Sequence, residues 1–339
     1  MELENYKSEV EALVKSIQEI IKQSKSQISQ NINNQMLWVY WEIGKHIIQL
    51  ETQNSIDNQS SRLLINSLSK KLTLQLGKGY SRSNLTYMRL FFLSYKTGVT
   101  LSHQLTWSHY IELLKTDNNL ERSFYEKQSI NEKWSVRELR RQRNSALFQR
   151  LALSKDKEGV LKLAEEGQII VNKTDLIKDP YILEFLGLPE EERYSEQDLE
   201  KRIIENLQHF LLELGKGFAF IGSQYRITLN NRHYYVDLVF YHRILKCFVL
   251  IDLKIGEAKH EHIGQMNMYL NYFNEEENMN DDNSPIGIIL VAAKDEIMVK
   301  YATGGLSSNI FVSKYQTHLP DKQLLEEKLR MILEQKDKK

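Results

Sequence analysis

The sequence predicts an α+β protein in two parts: an all-helical N-terminal domain, then an α/β core with a central mixed sheet flanked by helices. Apolar residues recur at helical spacing through the first 155 residues. From about residue 218, short apolar and β-branched runs bounded by turn residues take over. Two amphipathic stretches, near 195–214 and 261–273, interrupt those runs as sheet-covering helices do. At 339 residues the chain is long enough for two cores. The expected division is 1–155 for a helical nucleic-acid-binding or assembly domain, 156–194 for a connector and 195–339 for the second domain.

Each element has its own signal. Val10, Leu13, Ile17, Ile20 and Ile21 mark a first helix. Ile43, Ile47 and Leu50, after the aromatic cluster Trp38, Tyr40 and Trp41, mark a second. A third runs from about Ile56 to Leu76 and is closed by Gly77 and Gly79. Ser81 opens the segment YSRSNLTYMRLFFLSY. Ser135 and Glu138 form a capping box that launches a helix holding Arg137, Arg140, Arg141, Arg143 and Arg150. The connector contains KDPYILEFLGLPEEER, where Pro189 and the acids after it read as a stop.

The second domain opens with a cap at Ser195 and Asp198. Leu199, Ile203, Leu207, Phe210 and Leu214 form one stripe along its first helix, which Gly215 and Gly217 end. Strands follow in FAFIGSQYRITL, YYVDLVFY and CFVLIDLK. The next helix turns Ile263, Met266, Leu270 and Phe273 inward. After the acidic loop EEENMNDDN come the strands PIGIILVAA and IFVSKY and a charged helix. The order is α-β-β-β-α-β-β-α.

Composition narrows the function class. No stretch approaches the roughly eighteen apolar residues of a membrane span, and the polar start MELENYKSEV has no secretory core. Cys247 is the only cysteine, which excludes an internal disulfide and a thiolate metal cluster. These features predict a cytoplasmic protein without membrane contact. The zero net charge hides an asymmetry: residues 1–150 hold 21 basic and 14 acidic side chains, a net of +7, and the remainder 24 against 31, a net of −7. The first half is therefore suited to a polyanion. Arg137, Arg140 and Arg141 share a helix face that fits phosphates, and Arg82 and Arg89 form a second, weaker candidate. The same arginines equally suit ion pairing or a solvated face.

The chemistry concentrates after residue 230. If Arg243–Lys246 form a hairpin loop, opposed residues have numbers summing to 489, which sets Asp237 against Asp252. Period two puts Lys254 on the same face as Asp252. Two adjacent carboxylates in apolar strands repel each other and lose hydration, so the arrangement calls for a divalent cation. An oxygen-only set suits Mg²⁺ or Mn²⁺, with the Leu253 backbone carbonyl as a further ligand. Lys254 then orients or helps deprotonate a water, or offsets phosphate charge, in a hydrolysis by metal-activated water. As an ion pair, Asp237 and Lys254 have a purely structural alternative. A third acid is expected from the preceding helix, and the helical wheel favours Glu200 over Glu205. Gln265 flanks the inward face of the next helix, in reach of a water or a phosphate, and Gln224 on the neighbouring strand points towards the cleft as a nucleic-acid contact. His233, His242, His260 and His262 surround the site without completing a zinc set. Gly304 and Gly305 in TGGLSS lack the lysine of a P-loop.

These strings resemble a known family. YWEIGKHI, GYSRSNLTYMRLFF, LTWSHYIELL, ERSFY and KWSVRELRRQ in the first half, and DPYILEFLGL, DLEKRIIENLQHFLLELGKGFAFIGSQ, YYVDLVFYHRILKCFVLIDLKIG, IGQMNMYLNYF, PIGIILVAAK and VSKYQTHLP in the second, resemble the bacterial YhcG-like family. That family joins a helical domain to a PD-(D/E)xK nuclease-like domain of the restriction-endonuclease type. The resemblance implies Asp237 as first motif acid, Asp252 where glutamate is usual, Lys254 as motif lysine, Gln265 as helix glutamine and Glu200 as helix acid. It also implies Mg²⁺-dependent hydrolysis of DNA, an analogy of fold rather than of demonstrated site. Two departures stand out: AKHE, with Ala258 and His260, replaces an FKPE-like stretch, and the Trp-Gly usual after YWEIG is missing around 51–60. The alternative is an inactive nucleic-acid-binding or assembly protein that keeps the fold. Cutting two strands takes two sites or one repositioned site, so a homodimer is among the expected partners.

Overall fold

A computed structural model describes residues 2–55, 57–96, 102, 104–153, 155–188, 194–303 and 309–334. Pro189, Gly304 and Gly305 lie outside the described residues. The chain divides into two compact units, Met1–Arg122 with Lys133–Leu139 and Ser123–Glu132 with Arg140–Lys339. No helix among the described residues is long and apolar enough to cross a membrane.

The first unit is built on α1 (Glu2–Gln53), α2 (Asn58–Leu76), α3 (Arg82–Ser94) and α4 (Trp107–Leu113). The two helices expected before residue 50 are one helix of 52 residues. Neither proline nor glycine occurs between Ile21 and Ile43, so nothing stops the first turn series from running into the second. Asp57 and Ser81 cap α2 and α3 by accepting the amides of Ser60 and Asn84. Ile47, Ile65, Leu85 and Met88 form the core, with Tyr40 and Trp107 packed on it. Gly44 lets α1 approach α3 closely, because a Cβ there would collide with the Met88 carbonyl. Ile17, Ile20 and Ile21 are exposed along α1, and the side chains of Val10 and Leu13 lie outside the described set.

Two helices, α5 (Asn119–Glu132) and α6 (Val136–Asn144), straddle the division between units. The Ser135–Glu138 capping box forms as expected. Its helix ends at Asn144, because Ala146 adopts φ 51°, and Arg150 falls on a separate helix, α7 (Leu147–Ala152). Helix α8 (Lys157–Glu166) and strand β1 (Tyr181–Ile182) follow. Residues 140–155 belong with the sheet-bearing unit rather than with the N-terminal helices. Buried Arg150 lies 2.7 Å from Glu213, and Arg141 reaches Glu184 at 3.0 Å and Glu213 at 3.4 Å. Buried charges that separated from such partners would be left uncompensated, which fixes this segment in place.

The rest of the unit comprises α9 (Glu196–Glu205), α10 (Leu207–Leu214), β2 (Phe218–Leu229), β3 (Arg232–His242), β4 (Cys247–Glu257), α11 (His260–Tyr272), β5 (Ile286–Ala293), α12 (Glu296–Thr303), β6 (Ile310–Gln316) and α13 (Lys322–Glu334). The helix expected to run unbroken to Leu214 divides at Asn206. The sheet order is β1-β6-β5-β4-β3-β2, with β2, β3 and β4 antiparallel and the β4–β5, β5–β6 and β1–β6 pairs parallel. On one face Leu199, Ile203, Phe210 and Leu214 pack against Leu238, Phe240, Ile251 and Leu290. On the other, Ile263, Met266 and Leu270 cover Val236, Val239, Leu250 and Ile289. Helices on both faces bury the continuous apolar run of β5, and this mixed sheet is the α+β architecture that the sequence predicts.

Candidate active site

The site forms where the β3–β4 ladder stops. Pairing runs from His242–Cys247 to Leu238–Ile251, and every pair keeps the sum of 489. Asp237 and Asp252 occupy the next position, beyond the last pair. There the Asp237 Oδ2 accepts the Leu253 amide at 2.7 Å, so a side chain takes over the ladder's hydrogen bond. Asp252 is 3 % exposed. Lys254 Nζ lies 2.9 Å from Asp252 Oδ2, donates to the Leu253 carbonyl at 3.1 Å and lies 3.5 Å from Glu196 Oε2.

Electrostatics follow from this crowding. Burial raises the pKa of Asp237 to about 7, and the Asp252 carboxylate adds to the effect. Burial also raises Asp252, against the opposing pull of Lys254. Burial draws Lys254 down, but Asp252, Asp237 and Glu196 more than offset it and leave the ammonium stabilised. Glu200 is raised by burial and by Asp237, in part compensated by a hydrogen bond from Gln224.

Gln224 ties the third acid to the pair. Its Nε2 donates to Glu200 Oε2 at 2.7 Å and to Asp237 Oδ1 at 3.1 Å. It does so from φ 48°, a left-handed conformation uncommon for a non-glycine residue. Gln224 therefore sits inside the acid cluster. Glu205, the rejected alternative to Glu200, is exposed. Gln265 reaches the cluster through Tyr269: its amide donates to the Tyr269 hydroxyl, which donates to the Tyr235 carbonyl at 2.9 Å. Burial and the Asp252 charge raise the Tyr269 pKa to about 12.

Two site residues escaped the sequence reading, and both had a signal. Tyr269 follows Gln265 by one helical turn, and Glu196 precedes Glu200 by one. His262 carries a pKa lowered by burial and by nearby Lys254, and its Nδ1 accepts the Lys259 amide. His242 is buried, with Nε2 3.0 Å from the Lys216 carbonyl, and serves the fold. Two candidate phosphate contacts need correction. Arg89 is held by Glu51 at 2.8 Å, and Arg141 by Glu184 and Glu213, so both guanidinium groups are engaged internally. Arg82, Arg137 and Arg140 are exposed.

The donor set fits a hard divalent cation. Asp237 and Asp252 present two desolvated carboxylates beside the Leu253 carbonyl, and their mutual repulsion is what a cation would relieve. Among the described residues no three His, Cys, Asp or Glu side chains close on one point. Two carboxylates are enough for a hard cation that keeps several waters.

Comparison with known proteins places this geometry in context. Residues 174–330 match the YhcG PDDEXK nuclease domain, and residues 16–150 match the DUF1016 N-terminal domain. The chain is 35% identical over 342 residues to a protein of Escherichia coli (strain K12) named "Putative nuclease YhcG", with 91% of each chain covered. A repair endonuclease from Pyrococcus abyssi overlaps 38% of this chain and 50% of its own, at 22% identity and a TM-score of 0.28. EndoMS in its apo form overlaps 39% and 49%, at 19% identity and a TM-score of 0.25. Both structural overlaps are local. From the extent of the sequence match, the chain belongs to the YhcG family, which couples a DUF1016 N-terminal domain to a PD-(D/E)xK nuclease domain.

Proposed function

We propose that the chain is a Mg²⁺- or Mn²⁺-dependent endonuclease that hydrolyses phosphodiester bonds in DNA. The observation that carries this reading is the pair of half-buried Asp237 and buried Asp252, with Lys254 2.9 Å from Asp252, at the point where two strands part. Asp237, Asp252 and the Leu253 carbonyl would hold the cation, which supplies positive charge at the scissile phosphate and makes a nearby water more acidic. Lys254, kept as an ammonium by three carboxylates, orients the attacking water and offsets charge on the phosphate rather than acting as a base. Tyr269 stays protonated at neutral pH and donates a hydrogen bond, with Gln265 fixing its hydroxyl. Glu200, held by Gln224, adds a carboxylate at the margin of the pair.

The test is cleavage of supercoiled plasmid and single-stranded DNA in Mg²⁺, Mn²⁺ or EDTA by the wild type, Lys254→Ala and Asp252→Ala. Metal-dependent cleavage that both substitutions abolish supports the reading. Cleavage at the normal rate by Asp252→Ala would place the chemistry elsewhere. A well-folded wild type that binds but never cuts would favour the inactive binding protein.

A further inference from the structure

The outer half of the β2–β3 hairpin extends past the acid cluster, and its residues Arg226, Thr228, His233 and Tyr235 are exposed on one side. Ile227 and Val236 turn into the core beneath α11, and Tyr225 and Tyr234 pack on that same face. The opposite face carries successive cross-strand rungs. Gln224 meets Asp237 through its side chain, Arg226 pairs with Tyr235, and Thr228 pairs with His233, whose Nδ1 lies 3.0 Å from the Thr228 hydroxyl. Strand geometry spaces these rungs by roughly 7 Å, so Tyr235 stands one step and His233 two steps from the acid pair.

Three observations give this face a chemistry. Tyr235 is 46% exposed, a large ring left in solvent two residues from half-buried Asp237. Arg226, Thr228 and His233 are exposed beside it. Arg226 places a guanidinium on this face, and residues 215–236 contain no Asp or Glu, within a half of the chain whose net charge is −7. The acids Asp237 and Glu200, both bonded by Gln224, stand at the inner end of the face. An exposed ring and a guanidinium that lead into a phosphodiester site are complementary to the base and the phosphate of a nucleic-acid strand.

We infer that this face is a binding platform for an unpaired DNA strand beside the scissile phosphate, with Tyr235 stacking on a base and Arg226 holding the adjacent phosphate. The inference rests on the nuclease reading for the location of the scissile phosphate. Stacking on Tyr235 demands a base free of its partner, so the platform selects single-stranded or locally unpaired DNA over continuous duplex. Tyr235 also fixes the geometry next to it: its carbonyl accepts the Tyr269 hydroxyl, so the platform is joined to the acid cluster by backbone.

The experiment is fluorescence anisotropy in EDTA with the full chain, using a labelled oligo-dT 20-mer and a labelled mixed-sequence 20-base-pair duplex. Tyr235→Ala is expected to weaken oligo-dT binding roughly tenfold, and Tyr235→Trp to preserve it. Arg226→Ala is expected to weaken binding and to flatten its dependence on salt by about one counterion. Duplex binding should change by less than about twofold in Tyr235→Ala. Equal oligo-dT affinities for wild type and Tyr235→Ala would overturn the inference, as would absent binding by the wild type. So would an equal loss on both probes, which would make the face a general electrostatic surface. The Lys254→Ala cleavage comparison judges the nuclease reading separately, since no step of the anisotropy measurement requires turnover.

Discussion

The acid pair should cost the metal-free protein stability, and Asp237→Asn should recover it. Asp237 is held at a pKa of about 7, against an ordinary value near 3.8, chiefly by burial and then by Asp252. Between those two values the folded chain keeps a proton that the unfolded chain has released. Stability therefore falls as pH rises from about 4 to about 7 and levels off above. A shift of about three units corresponds to at most ~4 kcal/mol. Because Asp252 shares the proton, we expect about 1–3 kcal/mol for Asp237 alone. Asparagine keeps a carbonyl for the Leu253 amide and removes one charge, while its amide nitrogen takes the place of Oδ1 and forfeits the hydrogen bond from Gln224. The assay is urea unfolding in EDTA at pH 5 and pH 7.5, repeated at saturating Mg²⁺. Wild type should lose stability between the two pH values and regain it with Mg²⁺. Asp237→Asn should be more stable than wild type at pH 7.5 in EDTA, respond weakly to Mg²⁺, and lack cleavage. The reasoning is refuted if Asp237→Asn is less stable than wild type at pH 7.5, or if wild type shows no fall with pH.

Three further outcomes are expected. Gln224→Ala removes both hydrogen bonds that position Glu200 against Asp237 and should lower the cleavage rate about tenfold with little change in unfolding midpoint; an unchanged rate would remove Gln224 from the site. Glu213→Gln leaves Arg150 and Lys178 buried without their counter-charge and should destabilise by about 3–5 kcal/mol, with partial recovery in Glu213→Gln/Arg150→Met; a loss below ~1 kcal/mol would show that the network is dispensable. Arg89→Ala strands the nearly buried Glu51 and should cost about 2–3 kcal/mol, while DNA affinity of the folded protein, read by anisotropy, stays at the wild-type level.

Local signals carried most of the fold. The β2 string matches its strand residue for residue, and the hairpin HRILK alone set the register that brought Asp237 and Asp252 together. Caps at Ser81, Ser135 and Ser195 were readable because capping is a short-range exchange between one side chain and an amide three residues on. The wheel that favours Glu200 treats 195–214 as one helix, across a break at Asn206. Glu200 nevertheless lies within reach of Gln224, because Leu199 and Ile203 bury on the same side of the sheet. What stayed hidden depends on distance along the chain. Arg150 and Glu213 are 63 residues apart, and no pattern announces their pairing. Strand β1 has two residues, too few for any period. The arginines Arg89 and Arg141 looked like phosphate contacts because sequence shows charge but not its partner.

The carboxylate that closes the β3–β4 ladder turns a backbone amide into a sensor. Leu253 N–H has the Asp237 carboxylate as its acceptor, where a strand would ordinarily offer a carbonyl. Whatever draws electron density from that carboxylate also changes the bond to this amide. Its nitrogen and proton resonances, and its rate of exchange with solvent, thus give a single-atom readout of occupancy at the site in a protein that need not turn over.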